Sequence, residues 1–252
     1  MVQHRTRDGS SHLQNTLRCG EEGPAVKSVF ITGTDTDCGK TFVTAGILNG
    51  FVSMGINAVP AKPVQTGCKN GVSDDLEFSL KTAGLRFSEE VKNRLCPSRF
   101  TPACSPHLAA ELAGTSLSTA AMASNLKDLQ SSYQCVVAEG AGGILVPLGD
   151  GKTMLDLMVL LDWPVVLVSS DKLGTINHTL LSLEALHQAG VDVAGVVVNH
   201  TVPPCPLIST SNTETIRKYG RTEILAEIPY STDSFPAQFF LGVCTELKGI
   251  LS

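Results

Sequence analysis

A chain of 252 residues with 42% hydrophobic and 17% charged content has the makeup of one sizeable α/β domain. Its formal charge of −5, with one Trp and three Tyr, argues against a nucleic-acid partner, which would favour a basic face and aromatic stacking platforms. The longest apolar run, Trp163–Val168, is strand-sized and far below the roughly 20 residues needed to cross a bilayer.

Residues 1–27 are polar and contain no apolar stretch of the kind a secretory signal carries. They read as a disordered extension ahead of a single domain over 28–252. Arg5, Arg7 and Arg18, with Asp8 the one acid in the first twenty residues, faintly resemble a mitochondrial presequence. A cytoplasmic location is the expectation, with organellar targeting open. The eight cysteines, at 19, 38, 68, 96, 104, 135, 205 and 244, never form a Cys-x-x-Cys pair. That spacing removes zinc-ribbon and redox-motif readings and fits a reducing compartment.

From residue 28 short β-rich runs alternate with helix-like stretches. Strands are expected at Ser28–Thr32, Asn57–Ala61, Gln134–Ala138, Pro164–Ser169, Val193–Val198 and Glu223–Ile228. Several are continuous apolar runs, as in strands covered on both faces. Helices are expected near Lys40–Met54, Asp74–Ala83, Pro106–Ala113, Ser118–Gln130, Thr175–Gln188 and Thr213–Tyr219. Gly55, Gly84, Gly114, Gly190 and Gly220 fall just after five of them, where a left-handed cap is wanted. The alternation implies an α/β fold, a doubly wound and mostly parallel sheet flanked by helices. In such a sheet, ligands sit beyond the carboxyl ends of the strands.

The first strand runs into Gly33-Thr-Asp-Thr-Asp-Cys-Gly39-Lys40-Thr41 and then a helix. A glycine loop there turns backbone N–H groups around phosphate oxygens, helped by the helix N-terminus. Gly39 permits close approach, Lys40 is a point charge for the β/γ-phosphates and Thr41 can ligate Mg²⁺. Five residues separate the two glycines where four are usual, which points to a P-loop subclass.

Metal bound with nucleotide usually needs carboxylates too. Glu139 ends the apolar strand Cys135-Val-Val-Ala-Glu139 and enters Gly140-Ala-Gly-Gly143, a position with few structural reasons for a carboxylate. Asp74 opens a helix, where N-capping is the competing reading, and Asp75 stands beside it as an alternative. Lys62 ends a strand ahead of a proline on the P-loop side; an exposed surface lysine is the competing reading.

The P-loop, Lys62-Pro-Val-Gln-Thr-Gly67, Glu139-Gly-Ala-Gly-Gly143, Lys172-Leu-Gly-Thr-Ile-Asn-His178 and Glu227-Ile-Pro229 together resemble dethiobiotin synthetase, in that family's order, over residues 28 to about 236. The resemblance implies an ATP- and Mg²⁺-dependent cyclo-ligase that joins CO₂ to 7,8-diaminononanoate. The products would be dethiobiotin, ADP and phosphate, on the way to biotin. It implies Lys62 and Lys40 as catalytic cations, Thr36 and Thr66 as contacts to the diamine, and Thr41, Asp74 and Glu139 as Mg²⁺ ligands. Nucleotide contacts are implied at Asp37, Cys38, Gly39, Lys40, Thr41 and Phe42, and at Asp74, Glu139, Gly140, Ala141 and Gly142. At the purine end they are Asn199, His200, Pro229, Tyr230 and Ser231. The substrate carboxylate would be held by Gly174, Thr175, Ile176 and Asn177 at a helix N-terminus of a partner subunit, which implies a homodimer. Thr175 also reads as a plain N-cap.

Two further expectations attach to particular segments. Cys38 inside the phosphate loop suggests inhibition by thiol reagents with protection by ATP. The rival reading is an ATP-driven switch of the partitioning or division-site type, which shares the longer phosphate loop but usually carries a lysine near its start. Thr34-Asp-Thr-Asp37 has none. The tail Ala237–Leu251 has Lys248 as its one basic residue, so it reads as core packing and not as a membrane helix.

Overall fold

The computed structural model describes residues 26–230 and 237–251. The chain begins with β1 (Val29–Gly33), α1 (Lys40–Ser53), β2 (Ala58–Ala61), β3 (Val64–Gln65), α2 (Asp74–Thr82), α3 (Glu89–Leu95), β4 (Ser98–Arg99) and α4 (Pro106–Leu112). It continues through α5 (Thr119–Gln130), β5 (Cys135–Glu139), β6 (Pro147–Gly149), β7 (Lys152–Thr153), α6 (Met154–Leu161) and β8 (Val165–Ser170). It ends with α7 (Thr175–Gln188), β9 (Val193–Asn199), α8 (Pro206–Gly220), β10 (Ile224–Ile228) and α9 (Ala237–Leu251).

All residues of β1, β2, β5 and β8 are buried, because helices cover both faces of the sheet they build. The six expected strands form one parallel sheet in the order β10-β9-β8-β1-β5-β2. β1 is the switch point: it pairs with β5 on one side (Ile31 opposite Glu139) and with β8 on the other (Gly33 opposite Val168). The crevice such a reversal leaves at the strand ends receives the phosphate loop.

Helix α1 is apolar nearly all round because it lies between the sheet and α9. Gly46 and Gly50, one turn apart on α1, face Phe240 and Cys244, one turn apart on α9; a Cβ at either glycine would overlap the facing side chain. The tail therefore packs as core, burying Phe240, Val243, Cys244, Leu247 and Leu251, each worth about 2 kcal/mol of transfer from water. This clamp holds the helix that carries Lys40 and Thr41.

Several details differ from the sequence expectations. α8 starts at Pro206, not Thr213, with that proline at the first helical position, where its missing N–H is harmless. The same helix runs through Gly220 and closes on Arg221 in the left-handed region (φ 48°). Gly220 is needed for a different reason: a Cβ there would overlap Leu183. Helices α3 and α6 are additional to those expected. Val26 is buried and the Lys27 N–H donates to the Leu251 carbonyl, so the folded body takes in two residues that composition alone assigns to the extension. Residues 1–25 lie outside the described part.

Candidate active site

The phosphate loop is shaped by its glycines and by what crosses beneath it. Gly39 caps α1 in the left-handed region (φ 93°) with its Cα face against Asn199, so that a Cβ would overlap the Asn199 amide. Asp37 is also left-handed (φ 59°), and Gly33 leaves room for the Cys38 and Lys40 side chains that fold back over it. Lys40 is buried, and its ammonium donates to the Asp35 carbonyl at 2.7 Å, across the mouth of the loop.

Beside this loop the ends of β2 and β5 bring two charges together. Glu139 is 2% exposed, and its Oε1 accepts from the Thr41 hydroxyl at 2.9 Å and from the Lys62 ammonium at 2.6 Å. Lys62 also donates to the Gly140 carbonyl at 3.2 Å and pairs with Asp75 at 2.7 Å. Burial alone would lower the Lys62 pKa, but the Glu139 and Asp75 carboxylates outweigh it and hold the ammonium above the ordinary lysine range. Lys62 is thus a fixed cation at any pH near neutrality.

A cavity of about 930 Å³ opens over this floor. It brings Thr36, Asp37, Gly39, Lys40, Thr41 and Phe42 of the loop and its helix together with Lys62, Thr66, Glu139, Ala141 and Gly142. Gly140 lies below it, its N–H on the Ile31 carbonyl. Sequence reasoning favoured Asp74 as the metal carboxylate and left Asp75 open as the alternative; in the structure Asp74 is exposed and Asp75 faces the cavity. The two are 100° apart on α2, with Ser73 capping the helix and Leu76 buried beneath it. Asp75 shares the cavity wall with Phe78, three residues on. Gln65 and Ser105 also line the cavity; Gln65 lies within the quoted stretch Lys62-Pro-Val-Gln-Thr-Gly67, but neither residue was given a site role from the sequence.

Cys38 does not reach the cavity: it is fully buried, and its thiol donates to the Asp35 carbonyl at 3.3 Å. The expected thiol sensitivity at this residue is therefore corrected, since a reagent has no path to the sulfur in the folded protein. Of the described cysteines only Cys104 lines the cavity.

The remaining expected residues lie on the opposite side of the loop. The Asn199 amide nitrogen donates to the Cys38 carbonyl at 3.1 Å. A carbonyl can only accept, so the amide is oriented with its oxygen on the other arm. The His200 imidazole points at Asp171, Nδ1 to Oδ2 3.0 Å. Pro229 and Tyr230 follow β10 and are exposed; Ser231 lies outside the described residues. Gly174–Asn177 are outside the cavity. There Gly174, not Thr175, is the N-cap of α7 (φ 94°), with no side-chain cap. Thr175 is instead buried, its hydroxyl 2.7 Å from that of Ser169.

A family model described as an AAA domain matches residues 27–238. The ATP-dependent dethiobiotin synthetase of Halalkalibacterium halodurans is 40% identical over 209 residues, 82% of this chain and 86% of that protein. The chain belongs to the dethiobiotin synthetase family. A second member, ATP-dependent dethiobiotin synthetase 2 of Haemophilus influenzae, is 41% identical over 174 residues, covering 69% of this chain and 91% of its own. Among solved structures, the MinC:MinD cell division complex of Aquifex aeolicus matches with a TM-score of 0.59 at 12% identity, covering 88% of this chain and 96% of that one. The Pyrococcus furiosus cell division ATPase MinD matches with a TM-score of 0.55 at 15% identity, covering 88% and 99%. At such identities these two likenesses concern the fold alone. The division-site reading shares this architecture, and the sequence relatives favour the dethiobiotin synthetases over it.

Proposed function

We propose that the chain is an ATP-dependent dethiobiotin synthetase that joins CO₂ to 7,8-diaminononanoate and closes the ureido ring in biotin biosynthesis. The observation that carries this reading is the pair of buried lysines, Lys40 and Lys62, opening on one cavity with Glu139 and Thr41 between them. One substrate amine takes up CO₂ and loses a proton to give a carbamate. A carbamate oxygen attacks the γ-phosphorus and ADP leaves, giving a carbamic–phosphoric anhydride. The second amine attacks the carbonyl carbon, and phosphate leaves with the oxygen that came from CO₂. Anionic charge accumulates at the carbamate and the transferring phosphoryl group, where fixed ammonium groups are most effective. Lys62 stays protonated, so it holds the carbamate by charge and does not act as a base.

The donors Thr41 Oγ1, Glu139 and Asp75 are all oxygens, which fits Mg²⁺. These residues would hold it, with Asp75 in the place first given to Asp74. Bound Mg²⁺ would neutralise charge shared by the β- and γ-phosphates. The Lys62 ammonium lies against both Glu139 and Asp75, an arrangement that keeps the two carboxylates from facing one another unpaired.

At the purine end, Asn199 presents an oxygen acceptor once its amide nitrogen is on the phosphate loop. An acceptor suits the exocyclic amine of adenine and opposes the carbonyl of guanine. In the first turn of α7 the Thr175 N–H is bonded to the Lys172 carbonyl, which leaves the Ile176 and Asn177 N–H groups to offer to a carboxylate; Leu173 beside them is wholly exposed. Lying outside the chain's own cavity, this turn is suited to serve the site of a second subunit in a homodimer. No helix among the described residues is long and apolar enough to cross a membrane. The described cysteines are all free, in keeping with a reducing cytoplasm.

Turnover with ¹⁸O-labelled bicarbonate tests the reaction order. One labelled oxygen is expected in the released phosphate and one in the ureido carbonyl. Unlabelled phosphate would mean that water, not carbamate, attacks ATP, and would contradict the assignment.

A further inference from the structure

The ends of β8, β9 and β10 are joined by a polar cluster that the mechanism above does not use. The Asp171 side chain, 5% exposed, follows β8. Its Oδ1 accepts from the Asn212 amide at 2.8 Å, and its Oδ2 accepts from the Ser209 hydroxyl and lies 3.0 Å from His200 Nδ1. Ser209 and Asn212 sit on the first turns of α8, and the His200 side chain, 7% exposed, follows β9. Two backbone bonds complete the frame. The Asp171 N–H donates to the Asn199 carbonyl at 3.1 Å, and the His200 N–H to the Ile228 carbonyl at 3.0 Å, at the end of β10.

Asn199 is therefore held at both ends. Its own carbonyl is tied to Asp171, its side chain is tied to the phosphate loop, and its neighbour His200 is fixed by the Asp171 carboxylate and by β10. The far nitrogen of His200 faces Glu227 at 3.8 Å. A buried carboxylate needs its acceptors satisfied; two donors on α8, Ser209 and Asn212, hydrogen-bond to this one, and His200 Nδ1 stands 3.0 Å away without hydrogen-bond alignment. Burial would raise the Asp171 pKa; Ser209, Asn212 and His200 outweigh that and keep it below the ordinary range. The group stays an anion, and charge-assisted bonds are the stronger kind.

We propose that Asp171 is a positioning residue for the base of the nucleotide: through His200 and the Asn199 backbone it fixes the Asn199 amide against the phosphate loop, in the orientation that favours ATP. Resting on the ATP-dependent reading above, this assigns a role to a residue outside the family motifs quoted for the sequence. His200 acts in it through its imidazole contact to Asp171. The cluster touches neither Lys62 nor the diamine end of the cavity. Its loss should therefore appear in nucleotide affinity and base choice, and not in diamine recognition.

The test is Mg²⁺-ATP and Mg²⁺-GTP binding by calorimetry, with KM for ATP and for the diamine, on Asp171→Asn, Ser209→Ala, His200→Ala and His200→Asn. Asp171→Asn and His200→Ala are expected to weaken ATP about tenfold, the loss of one bond to a charged group. Both should narrow the preference for ATP over GTP and leave the diamine KM within about twofold. Ser209→Ala removes one donor without changing charge, and a smaller loss confined to ATP is expected. His200→Asn, whose amide nitrogen can stand where Nδ1 stands, should recover most of the affinity. Wild-type ATP affinity in Asp171→Asn with unchanged melting would overturn the proposal. So would an equal rise in both KM values, including in the milder Ser209→Ala. If wild type binds ATP but makes no ring product, the proposed reaction fails, while the binding comparison still decides the role of Asp171.

Discussion

Replacing Lys62 with Ala is the perturbation whose consequences the geometry specifies most fully. The ammonium lies 2.6 Å from Glu139 and 2.7 Å from Asp75, so its removal leaves two carboxylates facing an empty space. Breaking a buried pair costs roughly 3–5 kcal/mol. Asp75 is 29% exposed on its side chain and Glu139 keeps the Thr41 hydroxyl, which puts the expected loss of folding stability near the lower figure, about 3 kcal/mol. For a domain of this size that corresponds to a fall in Tm of roughly 6–12 °C. The activity effect is separate and larger: loss of a fixed cation aimed at developing charge costs about 10²–10³ in kcat. The assays are thermal melting of the free protein and diamine-dependent ADP release with mass detection of dethiobiotin. Because the folded pKa of Lys62 is raised, its contribution to stability is fully present below the unfolded value of about 10.4 and is lost only as pH rises through the higher folded value. Between pH 6 and 9 the contribution should be constant, and the wild-type rate should show no basic limb from this residue. A Lys62→Ala enzyme retaining kcat within tenfold, or a wild-type rate climbing through pH 9–10 in a manner abolished by the substitution, would refute the fixed-cation argument.

Gly39→Ala places a Cβ at a left-handed position (φ 93°) against the Asn199 amide, and at 2–3 kcal/mol of strain ATP binding by calorimetry should fall roughly a hundredfold. Near-normal affinity would mean that the loop relaxes freely. In native protein a thiol reagent should label exposed Cys205 and cavity-lining Cys104 quickly and leave fully buried Cys38 unmodified until the chain unfolds; mapped early labelling of Cys38 would contradict its burial. Asp156 is held below the ordinary carboxylate range, first by the Thr153 backbone N–H and then by its hydroxyl, in the capping box of α6. Asp156→Ala should cost about 1 kcal/mol at pH 7. That contribution is present above the unfolded pKa of about 3.9 and disappears as pH falls through the lower folded value, so the gap between wild-type and variant denaturant midpoints should shrink as the pH is taken below about 3.9.

Physical signals that repeat along the chain were readable before any coordinates. The strands appear as apolar runs because both faces of the sheet are covered, and the phosphate loop is local in sequence. Helix α6 gave no such signal. Met154–Leu161 is apolar apart from Asp156, so it lacks the polar stripe that marks a helix. The first two turns of α8 were obscured by Pro203, Pro204 and Pro206, which read as loop when only one of them sits inside the helix. At the site, the strand-end position of Glu139 and Lys62 placed both side chains correctly near the loop, because the carboxyl ends of parallel strands share one edge. Choosing between Asp74 and Asp75 depends on the rotational phase of α2, which two adjacent acids do not reveal. The Asp171 cluster draws on residues 171, 200, 209 and 212 from three separate elements, and proximity of that kind exists only once the sheet order is known.

The central claim is tested most directly by incubating purified protein with Mg²⁺-ATP, bicarbonate and 7,8-diaminononanoate, following ADP release and dethiobiotin mass together. The expected result is one dethiobiotin per ADP, with ADP release falling to background when the diamine is omitted. ATP hydrolysis at the same rate with or without the diamine, and with no ring product, would contradict the account and favour an ATP-driven switch on the same fold.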